Sequence, residues 1–214
     1  MHRFFHTLLA GTFLVVIGWC SGPSFSQTCS SFVLENGGYA VFGTNYDNTI
    51  RPGLLFVNKR GVAKHSYSAD TGDEPFWWKS RYASVTFNVG GYQHAWAGMN
   101  ERGLVLSTMG LREAEPPAPD ERPSLDWGPL WMQYILDTCA TVDEAIAADE
   151  QVRNITVDHY LVSDRSGASA VIEYADGGKV YVPVEKIDQV ERYSSDTEAR
   201  PALARLGGIA AGQG

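Results

Sequence analysis

The strongest restriction on the fold of this chain is one helical stretch caught between two long runs of strand pattern. In GPLWMQYILDTCATVDEAIAA (residues 128–148), Leu130, Tyr134 and Ile135 share a face at helical spacing. Thr141-Val142-Asp143-Glu144 reads as the capped start of a second helix. Before this stretch, residues 30–47 read as a hairpin: SSFVL, a turn signal at Glu35-Asn36-Gly37-Gly38, then YAVFGTNYD running back. LLFVNKRG (54–61) reads as a third strand, residues 66–80 as loop, and RYASVTFNVGG (81–91) as a half-buried strand of period two. YQHAWAGMN and GLVLSTMGL flank Glu101-Arg102-Gly103 as a further hairpin, and residues 112–124 form a loop rich in proline and charge. After the helices, HYLVSDRSGASAVIEYADGGKVYVPV (159–184) reads as a three-stranded meander with turns at RSG and DGG. Strands, then helices, then strands specify an α+β domain with helices packed on a sheet face.

The ends differ in kind from the middle. Met1-His2-Arg3 is basic, Phe4 to Cys20 is mostly apolar, and SGPSFSQT follows, which is the layout of a secretory signal peptide over residues 1–28. The apolar core is too short for a comfortable membrane span. Small residues at 24, 26 and 28 leave cleavage after Ser26 and after Thr28 both open, and the expected location is periplasmic or secreted. The domain is expected over 29–190, with 191–214 as a divergent or frayed tail. With 17 Lys+Arg against 25 Asp+Glu, the formal net charge is −8, which argues against nucleic acid or an anionic membrane surface as partner.

Cys20 leaves with the leader, so Cys29 and Cys139 remain. In an oxidising compartment two cysteines suggest one disulfide, and a non-catalytic secreted module with a Cys29–Cys139 bond is one reading. Chemistry offers others. His65, His94 and His159 have no metal-type spacing, so neither a zinc site nor another cofactor is expected. Asp70-Thr71-Gly72 matches an aspartic-protease triplet, yet no second copy follows. A thiol of ordinary pKa, near ~8.5, needs a base. His94 or His159 would supply one in a Cys-His hydrolase. The alternative base is the chain's own α-amine, with a pKa of about 7.7–8.0 and bonded to the same Cα as the thiol side chain. That arrangement requires Cys29 to be the first residue, which a signal-peptide junction at this point would deliver.

Cys29-Ser30-Ser31-Phe32, FGTNYD (42–47), GMNERGLVLSTMGL (98–111), YILDTCATVDEAI (134–146) and HYLVSDRSGASAVIEY (159–174) together resemble the choloylglycine hydrolase and penicillin V acylase family. These are N-terminal-nucleophile hydrolases of linear amide C–N bonds. The resemblance covers about residues 29–182 in order. It implies a four-layer αββα sandwich with Cys29 at the start of a central strand, and a small-molecule amide as partner, with a homo-oligomer left open. It puts the nucleophile on Cys29 and the carboxylate that holds the α-amine on Asp47. Asn45 and Gly110 fall at oxyanion or substrate-binding positions, Gly110 through its backbone N–H. It also implies that both thiols are unbridged. Trp77, Trp78 and Trp96 would line an acyl pocket or pack the core. The departures are specific. Thr44 stands where bile-salt-type members have arginine. After Val184 there is no asparagine for the family's second oxyanion donor, and Arg192 or Arg200 is offered for its site arginine without a motif to support either. The chain is shorter than usual members. An incomplete sandwich of weak or no activity is therefore expected.

Overall fold

The structure is a computed structural model that describes residues 29–36, 39–46, 53–67, 74–89, 91, 94–111, 114–125, 128–156, 158–175, 178–183 and 191–194. The expected leader, Asp47 and Arg200 lie outside the described residues.

The first hairpin forms as its alternation demands. β1 (Ser30–Asn36) pairs antiparallel with β2 (Tyr39–Asn45), Ser30 opposite Asn45 and Asn36 opposite Tyr39. β3 (Gly53–Asn58) follows. The stretch expected as loop, 66–80, holds one strand, β5 (Trp77–Lys79), which pairs with β4 (Ala63–His65) just ahead of it. β6 (Ser84–Val89), β7 (Ala95–Asn100) and β8 (Val105–Gly110) form a meander. The two-residue strand β9 (Ser124–Leu125) leads into α1 (Gly128–Thr138) and α2 (Val142–Asp149). β10 (Arg153–Asn154) pairs parallel with β9. β11 (Asp158–Ser163), β12 (Ser169–Ala175) and β13 (Gly178–Pro183) form the expected second meander. The segment expected to fray opens with β14 (Glu191–Ser194), which pairs with β1, Ser194 opposite Ser30 and Glu191 opposite Val33.

These strands make a large sheet in the order β13-β12-β11-β8-β7-β6-β3 and a small one in the order β14-β1-β2. β1 is therefore the central strand of the small sheet. The period of two then sorts the side chains of the large sheet between two cores. Leu106, Tyr160, Val162, Ala170, Ile172 and Tyr174 pack against Leu130, Trp131, Ile135 and Leu136 of α1. Met109, Leu161 and Val171 point to the other face and meet the small sheet. Among the described residues the layers run helix, sheet, sheet, which are three of the four layers expected.

Buried polar groups anchor the helical layer. Gly98 lets α1 approach β7 closely: a Cβ there would stand 2.8 Å from Leu136 Cδ1 and 2.9 Å from the carbonyl oxygen of Val85. Asn100 Nδ2 donates to the carbonyls of Leu136 and Cys139 at the end of α1. The fully buried Asp137 carboxylate accepts from Lys64 Nζ, Trp78 Nε1 and Gln133 Nε2 at 3.0, 2.8 and 2.9 Å. This is why β4 and β5 fold onto α1. Asp149, at the end of α2, accepts from Trp131 Nε1 and Tyr174 Oη at 2.8 Å and from Tyr181 Oη at 2.9 Å. Lys179 Nζ lies 3.1 Å away. The capped start of α2 forms as expected, with Thr141 Oγ1 accepting from Glu144 N.

Candidate active site

Cys29 immediately precedes β1 and is 7 % exposed. Its side chain packs in the core between the sheets, against Met109, Leu161 and Val171, with Val33, Phe42 and Tyr46 around them. Alternation from Cys29 puts Ser31 on the same inward face, and there a hydroxyl bridge pins the sheets together. Ser31 Oγ lies 2.5 Å from Ser107 Oγ on β8 and 3.0 Å from Thr44 Oγ1 on β2. Ser31 and Ser107 are completely buried, so each hydroxyl satisfies the other in place of water. The position of Cys29 over the end of β8 is thus fixed two residues along by a polar contact as well as by packing.

The end of β8 carries the second predicted position. Gly110 follows Met109, is exposed, and stands opposite Asp158 of β11. β7 pairs with β8 only from Met99–Val105 to Ala97–Ser107, so the last three residues of β8 extend past that ladder. The strands part where β7 is irregular: its register with β6 shifts between Phe87 and Asn88, leaving Trp96 without an opposite number. The Trp96 ring lies 4.8 Å from that of Tyr46, which packs against the core that contains Cys29. Gly110 and Cys29 are thereby brought to the same end of the inter-sheet core. Asn45 is exposed, and alternation assigns it the outer face of the small sheet, opposite to Ser31 and Thr44. The structure does not bring its side chain to the thiol.

Three further groups lie at this end, of which sequence pattern had singled out only His159, as a base. Asp158, beside Gly110, is half-buried, and burial pushes its carboxyl up to about 6 against a hydrogen bond from Thr156. His159 stands opposite Met109, and its Nδ1 lies 3.1 Å from Glu173 Oε1, with both residues buried. Of the histidines weighed as bases, His159 reaches this face. His65 stacks near Trp77 on the β4–β5 hairpin, with ring centroids 4.6 Å apart. Ser107 is the third. The legible signal was a polar residue at an inward-facing parity, which has meaning only once both faces of the sheet are known to be covered.

The disulfide reading is overturned. Cys29 and Cys139 are both thiols, and they lie in cores on opposite faces of the large sheet. Burial pushes the Cys139 thiol up to about 11, and its S–H donates to the Glu144 carbonyl at 3.4 Å. Of the tryptophans, Trp78 packs in the helix-side core, Trp77 is 61 % exposed, and only Trp96 lies on the Cys29 side. Of the site-arginine candidates, Arg192 lies on β14 opposite Phe32. Among the described residues no group of His, Cys, Asp and Glu is placed to hold a metal ion.

Comparison with known proteins agrees with this architecture. A profile of the CarD-like/TRCF RID domain matches residues 151–194. That stretch runs from β10 to β14 and is built into both main sheets, so it marks no separate unit. A penicillin V acylase from Pectobacterium atrosepticum is 35 % identical over 194 residues, 78 % of this chain and 50 % of its own length. The structure of a penicillin V acylase from Agrobacterium tumefaciens superposes with a TM-score of 0.64 at 27 % identity, covering 83 % of this chain and 56 % of that one. A conjugated bile acid hydrolase from Clostridium perfringens gives a TM-score of 0.59 at 16 % identity, covering 73 % and 51 %, and shares the fold. The chain spans about half the length of the relatives it matches. With its thiol at the head of a central strand between two sheets, the chain belongs to the choloylglycine hydrolase and penicillin V acylase family.

Proposed function

We propose that this chain carries the nucleophile half of a linear-amide hydrolase, with Cys29 as its first residue after removal of the leader. The observation that carries the reading is the placement of an unbridged thiol, buried between two sheets, at the same end of the core as Gly110. The Cys29 α-amine, with an ordinary pKa of about 7.7–8.0, accepts the thiol proton as sulfur attacks the amide carbonyl, and returns it to the leaving amine. Asp47 orients that amine. The N–H of Gly110 donates to the oxyanion, and water then releases the acyl group. Loss of one oxyanion donor costs roughly 10²–10³ in kcat.

The test is N-terminal sequencing of the exported protein, followed by turnover of a panel of amides: penicillin V, bile-salt conjugates, acyl-homoserine lactones and lipid amides. The expected mature chain begins at Cys29, and Cys29→Ser lowers turnover at least 10²-fold and abolishes a mass-detected acyl-enzyme. A turning-over species with any residue ahead of Cys29, or a Cys29→Ser variant as active as the parent, refutes the proposal.

A further inference from the structure

Alternation puts one charged pair among the apolar residues that hold the thiol. Along β11, His159 precedes Leu161 by two residues and so shares its inward face; along β12, Glu173 follows Val171 by two and does the same. His159 stands directly across from Met109, and Leu161 directly across from both Ser107 and Val171. The three residues against which Cys29 packs therefore flank His159: Met109 across the ladder, Leu161 next along the strand and Val171 on the diagonal. β1 reaches this place because Ser31 is bonded to Ser107, which sets Cys29 two residues further toward the His159 end of the sheet. Facing sheets stand about 10 Å apart. An imidazole rising from β11 and a thiol hanging from the head of β1 come within reach of each other in that gap.

The pair is costly where it lies. His159 and Glu173 are both buried, with Nδ1 3.1 Å from Oε1. A buried ionisable pair is ordinarily no more stabilising than well-packed apolar residues of the same volume. Its place beside the thiol accounts for it better. A carboxylate facing Nδ1 holds the ring proton there, fixes the plane of the ring and leaves Nε2 as the basic nitrogen. Nucleophile, base and orienting carboxylate in series is a recurring arrangement for activating a thiol near neutral pH. The residues that β8 brings to this level, Ser107 and Met109, carry no charge. Tyr46 rests on the same core from the small sheet, and β14 sets Glu191, Arg192 and Tyr193 opposite Val33, Phe32 and Ser31.

We propose that His159 is a base for the Cys29 thiol, with Glu173 as the residue that positions its ring. In the step, the S–H bond breaks and an Nε2–H bond forms. Sulfur keeps the electron pair, and Nδ1–H stays on Glu173. A thiolate and an imidazolium thus replace two neutral groups, beside a carboxylate that stabilises the imidazolium. This deepens the hydrolase reading, resting on it for Cys29 as the nucleophile, and does not replace it. The thiolate forms before any substrate arrives and while the α-amine is blocked. Cleaving an amide also needs a proton for the leaving nitrogen, which that reading assigns to the α-amine. The chain therefore holds a reactive thiol even when a residue precedes Cys29.

The probe is iodoacetamide, applied across a range of pH to the exported protein and to a form exported with one alanine inserted ahead of Cys29, the label being located by peptide mass. Cys139, pushed up to about 11 by burial, is the internal control. Both forms are expected to label at Cys29 at pH 6, and His159→Gln slows that labelling at least about tenfold. The slowing shrinks as pH rises past about 8.5, where an ordinary thiol ionises unaided, a profile that a merely structural role would not produce. Glu173→Gln, whose amide oxygen still accepts from Nδ1–H, slows labelling less than His159→Gln does. Near-ultraviolet circular dichroism confirms the fold of each variant. The thiolate absorbance of the parent, titrated against Cys29→Ser, reads the same ionisation with His159 in place. Three outcomes overturn the proposal: a parent profile that rises only with an ordinary thiol's ionisation, a His159→Gln variant that labels like the parent or is slowed equally at every pH, or labelling at pH 6 lost once alanine precedes Cys29. The last gives the thiol proton to the α-amine alone and leaves the hydrolase reading standing. Absent amide turnover with His159-dependent labelling intact strikes that reading and supports this one.

Discussion

Asn100 offers the sharpest test of how the scaffold holds the start of β8 against α1. The side chain is 3 % exposed and uses its whole hydrogen-bonding capacity. Nδ2 donates to the carbonyls of Leu136 and Cys139 at 2.9 and 2.7 Å. Oδ1 accepts from the N–H groups of Arg102 and Leu104 at 3.0 and 3.1 Å. Both carbonyls belong to the end of α1, where the helix leaves its last acceptors without internal partners. Asn100→Asp keeps the shape but removes both donors and sets an anion against two carbonyl oxygens at the negative end of a helix. Two stranded carbonyls at about 1–3 kcal/mol each, with the lost bonds, give an expected cost of about 3–5 kcal/mol at pH 8. The sign of the pH dependence follows from the same contacts. Buried acceptors around the new carboxyl raise its folded-state pKa above the unfolded value of about 3.9. The destabilisation is therefore smallest below that value and grows as pH rises through the folded pKa. Asn100→Ala costs about as much but shows no such slope. Urea unfolding followed by tryptophan fluorescence at pH 4 and pH 8 measures both. An Asn100→Asp protein within about 1 kcal/mol of the parent at pH 8, or with the pH profile of Asn100→Ala, refutes the reasoning.

Asp149→Ala strands the buried Trp131 Nε1–H and Tyr174 O–H, removes the counter-charge of Lys179, and is expected to cost about 3–5 kcal/mol by calorimetry. Asp149→Asn recovers part of that loss, because its amide oxygen still accepts. Asp158 has a folded pKa of about 6, raised above the unfolded value, so its contribution to stability is full below about 3.9 and lost as pH rises through about 6. Asp158→Asn should therefore stabilise the protein at pH 8 by up to about 3 kcal/mol and not at pH 4, and an equal gain at both pH values would reject the assignment. In the folded protein at pH 8 roughly one part in a thousand of Cys139 is thiolate if its pKa is about 11, so alkylation is expected to spare it. Rapid native labelling at Cys139, read by peptide mass, would contradict that environment.

Alternation made both meanders and the first hairpin legible, because local period and turn residues specify an antiparallel strand without reference to distant chain. The β4–β5 hairpin was illegible for the opposite reason. Lys64 looks like a solvent residue, and it is buried because Asp137, 73 positions away, supplies its counter-charge. Gln133 and Asp137 likewise break the apolar stripe of α1 yet are fully buried, so the helix is enclosed on faces its pattern assigns to water. β14 is polar and lacks alternation, and its strand character comes from pairing with β1 at the other end of the domain. In the candidate site, Cys29 was singled out from the expected leader junction, but the Ser31–Ser107 bridge and the His159–Glu173 pair required knowing which face of the large sheet was buried.

The same contrast explains what the most recognisable motif specifies. In GMNERGL, Gly98 admits α1, Asn100 closes the turn and caps the helix, and Gly103 adopts φ +87° beside Arg165. None of these side chains lies in the core that contains Cys29. The motif therefore specifies the joint between helix and sheet, and its link to the candidate site is positional: a turn locked at Asn100 sets where β8 begins, and Met109 and Gly110 lie at the other end of that strand. Damage at Asn100 should consequently reach the Cys29 pocket through β8. Damage at Asp149 acts on β12, β13 and α2 and should lower stability while leaving the environment of the thiol intact in the molecules that remain folded. Native alkylation of Cys29 in the two variants separates these routes. Equal changes in labelling rate would mean that the two cores are not independent.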